Sequence, residues 1–543
     1  MPPKRRIPAE KTKALPPQSA GALTFARALA RPVFWRYGAL GLILLLAGFL
    51  RVYQLDTVPP GFSPDEAMEG SNALEALETH SFRVFYPENN GREGLYANAV
   101  AASIAVFGNS KLAVRLPAAV SGTLTVLGLY CLAAEVFPVP MALLASFLLA
   151  TSFWHIVASR LAGHAIMAPL FLVWALYFLV YSVNRLGGGR FPAIAVLCGG
   201  ISFGLGFHSY SSFRITPLLI GLILVIAFVQ ARSAGQLRAF GLLVLGYFST
   251  AALVCLPLAL YFAGNPAMLW NRARQVSVFN ASDPVMRIAL NSWKTAQMFF
   301  FEGDGNWRHN YSGDRELFWP VGICFFLGCV FAVRELIAGC QDRRKGPLDT
   351  GIWVRSMVGP GWLLIGAIPV VLSDEGMPHA LRSVVFAPAA CLIAAWGAWS
   401  AFSWVKSRVP SHPVLVGVFV ILVVLAVQPY HLYFESWAKR PEVASAHLEF
   451  VENMAGAITR LPNGTEKYVV STTQFLPVRG IPLIAQPIMY LTDSFTARGQ
   501  AEHHIYYVTS ENAVRFGVGE DPQKELCQKV NAAHPYAETF CLP

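Results

Sequence analysis

Residues 61–67 read Gly-Phe-Ser-Pro-Asp-Glu-Ala and follow the first long apolar stretch of the chain, residues 37–54. The segment opens a polar loop and places two adjacent carboxylates, Asp65 and Glu66, close to a stretch that is apolar enough to enter hydrocarbon. Charge near hydrocarbon is energetically expensive, so acidic residues in such a position indicate a function. The fold around this pair follows from the sequence on either side of it.

The same segment also fits the start of a helix. Ser63 suits the N-cap, Pro64 the first helical position, and the two acids the first turn. Capping alone would explain all four residues. The two interpretations are compatible, because a capped helix start is also a rigid platform for a functional side chain.

The composition is that of a membrane protein with many spans. The chain has 543 residues, of which 55% are hydrophobic and 14% are charged, whereas a soluble protein has roughly 25% charged residues. The net charge of +10 belongs largely to the membrane orientation signal and not to nucleic-acid binding. Residues 1–36 contain eight basic residues and one acid. They predict a disordered basic cytoplasmic tail and no cleaved signal peptide.

A membrane-spanning helix needs about 20 apolar residues. Residues 37–429 contain about eleven segments near this length, which predicts a polytopic α-helical protein with about eleven spans. We place them at 37–54, 112–136, 140–158, 166–183, 191–207, 215–231, 239–263, 317–336, 353–372, 383–404 and 413–429.

Basic residues of short loops mark the cytoplasmic side. With the N-terminus inside, four separate inner loops are basic, at residues 185–190, 232–238, 334–345 and 406–408. This threading predicts that the larger polar segments are extracytoplasmic, together with the short turn 373–382. Those segments are 55–111, 264–316 and 430–543.

Residues 430–543 have the composition of a small soluble α/β domain. Residues 441–460 predict an amphipathic helix, and residues 468–471 and 504–508 predict strands. Cys527 and Cys541 both fall in this segment and could form a disulfide in an oxidising compartment.

Several motifs resemble one family of membrane glycosyltransferases. They are the run 61–67, Gly-Arg-Glu-Gly-Leu-Tyr at 91–96, and Phe-Gly-Asn-Ser-Lys-Leu-Ala-Val-Arg-Leu-Pro-Ala at 107–118. Shorter pieces at 159–160, 208–214 and 378–383 agree with them. Over residues 37 to about 440 the chain resembles the protein O-mannosyltransferase-like family, also called glycosyltransferase family 39, whose members have the GT-C fold.

The resemblance implies transfer of a hexosyl or pentosyl group from a polyprenyl-phosphate carrier to an extracytoplasmic acceptor. The enzyme would be integral to the plasma or inner membrane. In such enzymes the acid of the first loop is the general base or a metal ligand, and the sugar inverts. We therefore expect Asp65 to be the base, because a carboxylate can deprotonate an attacking hydroxyl. Glu66 would position the acceptor or ligate a metal.

The leaving phosphate would need cations at the outer membrane interface. The threading places four arginines at outer span ends, and arginine is well shaped for bidentate phosphate contact. The alternative for each is contact with lipid headgroups. The residues predicted to bind the donor phosphate or lipid are Arg115, Arg160, Arg214, His379 and Arg382.

Other polar and aromatic residues of the outer loops could contact the sugar or the acceptor. Residues 301–311 suit a lid, since aromatics stack on sugar faces, although an interfacial belt of Trp and Tyr is the alternative. The predicted substrate-binding residues are Glu93, Tyr210, Asp304 and Trp307.

A divalent metal is possible but disfavoured. Some GT-C enzymes use a second acid in the next outer loop as a metal ligand, but residues 159–164 read Ser-Arg-Leu-Ala-Gly-His. The sequence thus predicts no metal ligand and no certain cofactor, although Glu93 or Asp304 could supply a second carboxylate. His164 is more simply a hydrogen-bonded histidine.

The alternative function is a polyprenyl-lipid flippase or transporter without transferase activity. Transporters tend to have internal repeats and charged or broken helices at the membrane midplane. Here ionisable residues gather at the predicted outer span ends, which favours chemistry at the interface. The acceptor could be a glycan, a lipid or a protein, and the sequence does not identify the sugar.

Overall fold

A computed structural model describes residues 32–342, 350–471, 477–478, 480–518 and 525–542. Residues 1–31 of the predicted tail and residues 343–349 of a predicted inner loop lie outside these described residues. The N-terminal helices up to the middle of the chain are α1 (Pro32–Val52), α2 (Pro64–Thr79), α3 (Leu95–Phe107), α4 (Lys111–Val136), α5 (Val139–Ala150), α6 (Phe153–Arg160), α7 (Met167–Val183), α8 (Ala193–Phe207), α9 (Thr216–Ser233) and α10 (Leu237–Gly264).

The second half of the membrane region is also built from helices, and one π-helical turn, Met357–Gly361, joins two of them. Those helices are α11 (Pro266–Gln275), α12 (Pro284–Gln297), α13 (Trp319–Asp342), α14 (Thr350–Ser356), α15 (Trp362–Val371), α16 (Ala380–Ser383), α17 (Ala387–Lys406) and α18 (Ser411–Tyr430).

Within the described residues, nine helices are long and apolar enough to cross a membrane. A tenth span would be the pair α5 and α6, which are bent by 57° at their junction. This pair occupies the predicted span 140–158. The expected eleventh span, 191–207, is the 15-residue helix α8, which is too short to meet the same criterion. It begins directly after Pro192, which shortens it.

The apolar spacing of the first outer loop predicts one or two helices that lie along the membrane surface, and the structure has two, α2 and α3. Helix α2 begins at the capped segment, where the Oγ of Ser63 accepts from the backbone N–H of Glu66 and the side chain of Glu66 accepts from the N–H of Ser63. A two-stranded antiparallel hairpin, β1 (Phe85–Tyr86) and β2 (Arg92–Glu93), joins α2 to α3. The predicted capping is therefore confirmed, and it fixes the direction of both acids.

Helix α4 lies at the centre of the bundle. It packs against α1, α3, α5, α6 and α7, while α17 packs between α5 and α13. The buried face of α4 is rich in Ala, Gly, Ser and Thr, and small residues let membrane helices approach closely. Helix α2 packs against α3 and α4.

The C-terminal segment contains a three-stranded parallel sheet in the order β6–β3–β7, and the small hairpin β4–β5 lies beside it. The strands are β3 (Lys467–Ser471), β4 (Pro477–Val478), β5 (Ile481–Pro482), β6 (Ile505–Val508) and β7 (Glu538–Leu542). The helices are α19 (Pro441–Ala446), α20 (Glu449–Arg460), α21 (Gln486–Leu491), α22 (Ala497–Glu502) and α23 (Leu526–Ala533).

Two details of this segment bear on the sequence analysis. The predicted helix 441–460 is broken between α19 and α20, because Leu448 adopts a left-handed backbone with φ of 56°. Cys527 and Cys541 form a disulfide with their Cα atoms 6.0 Å apart. The predicted strands both form and lie side by side in the sheet.

Candidate active site

Asp65 lies between two arginines that come from different parts of the chain. Its Oδ1 accepts from the Nη2 of Arg92 at 2.6 Å, and its Oδ2 accepts from the Nη2 of Arg308 at 2.9 Å. Arg92 belongs to β2, and Arg308 belongs to the loop before α13. The side chain of Asp65 is 43% exposed. The carboxylate is therefore held in place but remains accessible to a substrate.

The two arginines determine the protonation of Asp65. Burial on its own would raise the pKa of Asp65, but the charges and hydrogen bonds of Arg92 and Arg308 outweigh it. They lower the pKa of Asp65 well below its ordinary value, so the group is ionised at neutral pH. An ionised carboxylate at this position can accept a proton or interact with a cation.

Glu66 occupies a different environment although it is the next residue. Its side chain is only 2% exposed and pairs with the fully buried Arg115, whose Nε donates to Oε1 at 2.8 Å. Burial on its own would raise the pKa of Glu66, but Arg115 lowers it from 4.5 to about 2. The predicted role of Glu66 was contact with an acceptor or a metal, but its side chain has no access to solvent. The geometry favours a structural ion pair.

All hydrogen-bond donors of Arg115 are used by Glu66 and by the loop before α2. The guanidinium donates to both oxygens of Glu66 and to three backbone carbonyls, so its five N–H groups are all used. The carbonyls are those of Leu55, Pro59 and Gly61. A donor phosphate is therefore not needed to satisfy Arg115, contrary to the expectation from sequence.

Arg160 is likewise buried and structural. Its guanidinium stacks over the rings of Tyr433 and Phe434, each with its centroid 4.9 Å away. Its Nη groups donate to three backbone carbonyls at the end of α1 and in the following turn, those of Leu50, Gln54 and Val58. Its position at a span end suggested phosphate contact, but burial prevents that contact.

Of the two other predicted arginines, Arg214 is partly exposed and Arg382 is buried. The Nη2 of Arg214 donates to Glu93 Oε1 at 2.9 Å, and its side chain is 26% exposed. Arg382 pairs with Glu375 and with the hydroxyl of Ser373. The structure thus joins the predicted phosphate-binding Arg214 to the predicted substrate-binding Glu93 in one ion pair.

A second layer of charge lies beneath Asp65. The Oε1 of Glu69, which is buried, accepts from Arg92 Nη1 at 3.4 Å and lies 3.4 Å from His164 Nδ1. The ring of His164 lies against the predicted substrate-binding Tyr210, with centroids 5.5 Å apart. This layer orients Arg92 toward Asp65.

The remaining predicted residues lie in the loop before α13 and beside it. Trp307 contacts the ring of Tyr311, and its carbonyl oxygen accepts from the Nε1 of Trp437 at 3.1 Å. Asp304 is buried and lies close to His309 and to the predicted His379. The predicted site residues therefore form separate groups.

The sequence analysis missed both arginines that contact Asp65. Arg92 directly precedes the predicted Glu93, and Arg308 directly follows the predicted Trp307, so both lay inside segments that were singled out. Within the described residues, the Nε of Arg308 is buried without a hydrogen-bond partner. Their position next to these candidate residues is the sequence signal that could have identified the two arginines.

The C-terminal segment reaches this site through His447. This residue is fully buried, its backbone carbonyl lies against Gly61, and its ring packs against Trp437 at a centroid distance of 5.9 Å. Neither ring nitrogen has a partner among the described residues. Burial lowers the pKa of His447 to about 3, so the imidazole is neutral.

Comparison with known proteins gives a sequence match for part of the chain. Residues 95–261 match the family described as dolichyl-phosphate-mannose-protein mannosyltransferase. A curated relative from Pseudomonas savastanoi pv. phaseolicola is 31% identical over 234 residues. It is an undecaprenyl phosphate-alpha-4-amino-4-deoxy-L-arabinose arabinosyl transferase, and the match spans 40% of each chain.

Solved structures extend the likeness to nearly the whole chain. The oligosaccharyltransferase of Archaeoglobus fulgidus, tethered to an acceptor peptide, has a TM-score of 0.53 at 13% identity and matches 93% of this chain and 69% of its own. ArnT from Cupriavidus metallidurans bound to undecaprenyl phosphate has a TM-score of 0.50 at 14% identity, over 90% and 92% of the two chains.

These likenesses agree with the described helices. The structures establish the fold over more than nine-tenths of the chain, and the sequence match covers the region from α3 to α10. The resemblance inferred from the motifs is confirmed over residues 95–261, which include the motif at 107–118. The chain is an integral membrane protein of the GT-C fold, related in sequence to the dolichyl-phosphate-mannose-protein mannosyltransferases.

Proposed function

We propose that the protein is a glycosyltransferase that uses a polyprenyl-phosphate-linked sugar and transfers the sugar to an acceptor on the extracytoplasmic face. The observation that carries the proposal is the half-exposed carboxylate of Asp65 between Arg92 and Arg308. The GT-C fold supports it. The curated relative is named as a transferase with such a donor.

In the proposed reaction, Asp65 is the general base. The acceptor hydroxyl loses its proton to Asp65 as its oxygen bonds to the anomeric carbon of the sugar. The bond between that carbon and the phosphate oxygen breaks, and the polyprenyl phosphate leaves with the electron pair. Attack opposite the leaving group inverts the sugar. Negative charge near the reacting carbon stabilises its oxocarbenium character.

Arg308 would hold the phosphate, and Arg92 would keep Asp65 in place. Charge-assisted hydrogen bonds from arginine to phosphate are among the stronger polar contacts in proteins. The side chain of Arg308 is 29% exposed, whereas that of Arg92 is only 8% exposed. A phosphate would compete with Asp65 for the guanidinium group of Arg308. Binding of the donor would therefore weaken this ion pair and raise the basicity of Asp65 when a base is required.

Arg382 and Arg214 are secondary candidates for the same phosphate or for its sugar. Both lie at the ends of candidate membrane spans, where the side chain of Arg214 is 26% exposed and that of Arg382 is 9% exposed. Arg115 and Arg160 are not part of the proposal because their guanidinium groups are buried and bonded to the backbone. Glu93 would orient Arg214 through their ion pair, and Tyr210 and Trp307 remain candidates for contact with the sugar.

An apolar cavity of about 440 Å³ could accommodate part of the polyprenyl chain. Helices α12 and α15 provide most of its walls, including Leu363, Leu364 and Ile368. It extends to Val371 and Leu372, directly before Ser373, whose hydroxyl bonds to Arg382. An apolar cavity next to a cationic cluster suits a lipid with a phosphate head.

The extracytoplasmic orientation follows from the basic inner loops of the sequence. The candidate residues lie in segments that this threading places outside, and a disulfide in residues 527–541 suits an oxidising compartment. The plasma or inner membrane would be the location. The acceptor class remains a glycan, a lipid or a protein.

The test is transfer by the purified protein in vesicles. A panel of undecaprenyl-phosphate sugars is supplied, and sugar release onto membrane-extract acceptors is measured for the native chain, Asp65→Asn and Asp56→Asn. Asp56 is an exposed acid of the same loop and serves as the matched control. We expect Asp65→Asn to lower kcat by about 10²–10⁴-fold, the usual contribution of a general base.

Full activity of Asp65→Asn would overturn its role as the base. A flippase assay in the same vesicles distinguishes the alternative function. Movement of the lipid-linked sugar between leaflets without transfer to any acceptor would replace the proposal.

A further inference from the structure

Three side chains that commonly bind metals meet beside the proposed site. The Nδ1 of His309 lies 3.3 Å from Asp304 Oδ2, and the Nδ1 of His379 lies 3.7 Å from the same oxygen. One ligand atom from each of the three residues lies within 4.8 Å of the other two. His379 comes from the turn before α16, and the other two come from the loop before α13.

These separations suit a shared cation. Zinc binds imidazole nitrogen and carboxylate oxygen at about 2.0–2.2 Å, so a tetrahedral site keeps its ligand atoms about 3.3–3.6 Å apart. The two distances to Asp304 are close to that range. The third edge, between the two imidazoles, would shorten as the cation binds. Their rings are already stacked, with centroids 5.1 Å apart.

The alternative is a set of direct hydrogen bonds. An N–H···O bond normally spans 2.7–3.2 Å, and a separation of 3.6 Å or more is not a bond. The separation of His379 from Asp304 exceeds that limit, and its Nδ1 accepts from the N–H of Arg382 at a long 3.5 Å. A hydrogen bond within the trio therefore joins only His309 to Asp304, and His379 lies too far from this carboxylate for a second one.

Neighbouring backbone groups hold the carboxylate of Asp304 in position. The backbone N–H groups of Asn306 and Ala380 each donate to one oxygen of Asp304 at 2.8 Å, which fixes the carboxylate. Supporting hydrogen bonds of this kind orient metal ligands.

We propose that Asp304, His309 and His379 bind one divalent cation of the zinc class, which clamps the loop 301–318 to the turn 377–383. Two imidazoles and one carboxylate favour zinc over magnesium or calcium, which prefer oxygen ligands. Water would complete the coordination. The clamp fixes the neighbours Arg308 and Arg382, and the site does not require the proposed transfer reaction.

The site differs from the metal site that the sequence analysis considered and disfavoured. That site needed an acid in residues 159–164. The present one uses Asp304, which the sequence analysis kept only as a possible second carboxylate, and His379, which it assigned to the phosphate. His309 was not predicted at all, because it lies 70 residues before His379 in the chain.

The experiment measures zinc binding by the full-length chain in detergent after treatment with a chelator. Calorimetric titration with zinc chloride compares the native chain with His309→Gln, His379→Gln and His164→Gln. His164 is the matched control, since it is also a histidine beside a carboxylate. We expect one zinc per native chain and a loss of affinity in the first two variants beyond the roughly 10–100-fold that an outer partner contributes.

Two further readouts keep the result interpretable if a variant folds poorly. The native chain with Co²⁺ should give the intense visible absorption of a four-coordinate site. Hydrogen exchange in residues 301–318 and 377–383 should slow with zinc in the native chain but not in His379→Gln. Equal zinc affinity in all four proteins, loss only in His164→Gln, or a six-coordinate cobalt spectrum would overturn the proposal.

Discussion

The Nη2 of Arg308 lies 2.9 Å from the Oδ2 of Asp65, although the two residues are 243 positions apart in the chain. Arg92 contacts the other oxygen of the same carboxylate. This arrangement gives Asp65 two cationic neighbours, of which the more exposed Arg308 could contact a donor phosphate. It separates Asp65 from Glu66, whose arginine is buried and fully bonded.

The role of Arg308 in donor binding is tested by Arg308→Gln. Hydrogen bonds to charged groups contribute about 1.5–3 kcal/mol, so we expect KM for the polyprenyl-phosphate sugar to rise about 10–100-fold. Arg315→Gln is the matched control, because Arg315 lies in the same loop and its side chain is 39% exposed. An unchanged KM in Arg308→Gln would remove this residue from the phosphate site.

The pH dependence of kcat/KM tests the ion pairs of Asp65. A base is active when ionised, so activity is present above its pKa and is lost as the pH falls through that pKa. Arg92 and Arg308 hold the pKa of Asp65 well below its ordinary value. We expect no loss attributable to Asp65 between pH 5 and 7, taking about 3.9 as its ordinary pKa.

The same pH profile of kcat/KM, measured on Arg308→Gln, should show whether Arg308 lowers the pKa of Asp65. Removal of one cation raises the pKa of Asp65 and moves the acidic limb of the profile to higher pH. An acidic limb that stays in place in this variant would mean that another group controls it.

The buried pair of Glu66 and Arg115 should be important for stability. Glu66→Gln leaves Arg115 buried without its anion, and the breaking of a buried pair costs about 3–5 kcal/mol. We expect a clear fall in the thermal unfolding midpoint in detergent. Arg83→Gln breaks a pair whose arginine side chain is 42% exposed, and should cost about 1 kcal/mol or less.

Low pH should likewise reduce the stability of the native chain. The pKa of Glu66 is lowered from 4.5 to about 2 in the folded state. Its contribution to stability is therefore complete above about pH 4.5 and is lost as the pH falls toward 2. Loss of this contribution between pH 5 and 7, judged by comparison with Glu66→Gln, would contradict the pairing.

Gly70 should be required for contact between α2 and the C-terminal segment. A Cβ atom at Gly70 would lie 2.4 Å from the buried ring of Tyr490. Gly→Ala in a helix interior normally stabilises by about 0.5–1 kcal/mol, but we expect Gly70→Ala to destabilise. Limited proteolysis should then release residues 438–543 faster than in the native chain.

Gly456→Ala is the control for this effect. Gly456 also lies inside a helix, and an added Cβ there would meet only Arg460 Nη2 at 3.7 Å. This variant should be neutral or slightly more stable. Equal stability of Gly70→Ala and Gly456→Ala would show that the ring of Tyr490 moves to make room for the added methyl group.

Much of the fold could be predicted from local patterns. The capped start of α2, the two helices of the first loop, the strands at 468–471 and 504–508, and the family resemblance are all confirmed. The count of eleven spans was less accurate, because α8 is short and α5 is bent against α6. Length and apolar content indicate a span, but they do not give its bend.

The candidate site was less predictable. Asp65 and the outer segments were identified, but Arg115 and Arg160 have structural contacts, while Arg92, Arg308 and His309 were missed. Position at a span end indicates that an arginine is near the interface. It does not indicate whether backbone carbonyls such as that of Gly61 already satisfy the guanidinium group.

The sequence by itself determined the membrane spans, the capped acidic helix start and the types of residue at the outer ends. These features depend on neighbours within a few positions, where hydrophobic periodicity and capping act. Only the tertiary structure decided which charges meet. The pairing of Asp65 with Arg308, the burial of Arg115 and the grouping of Asp304 with His379 depend on helix packing, which brings distant segments within hydrogen-bond range.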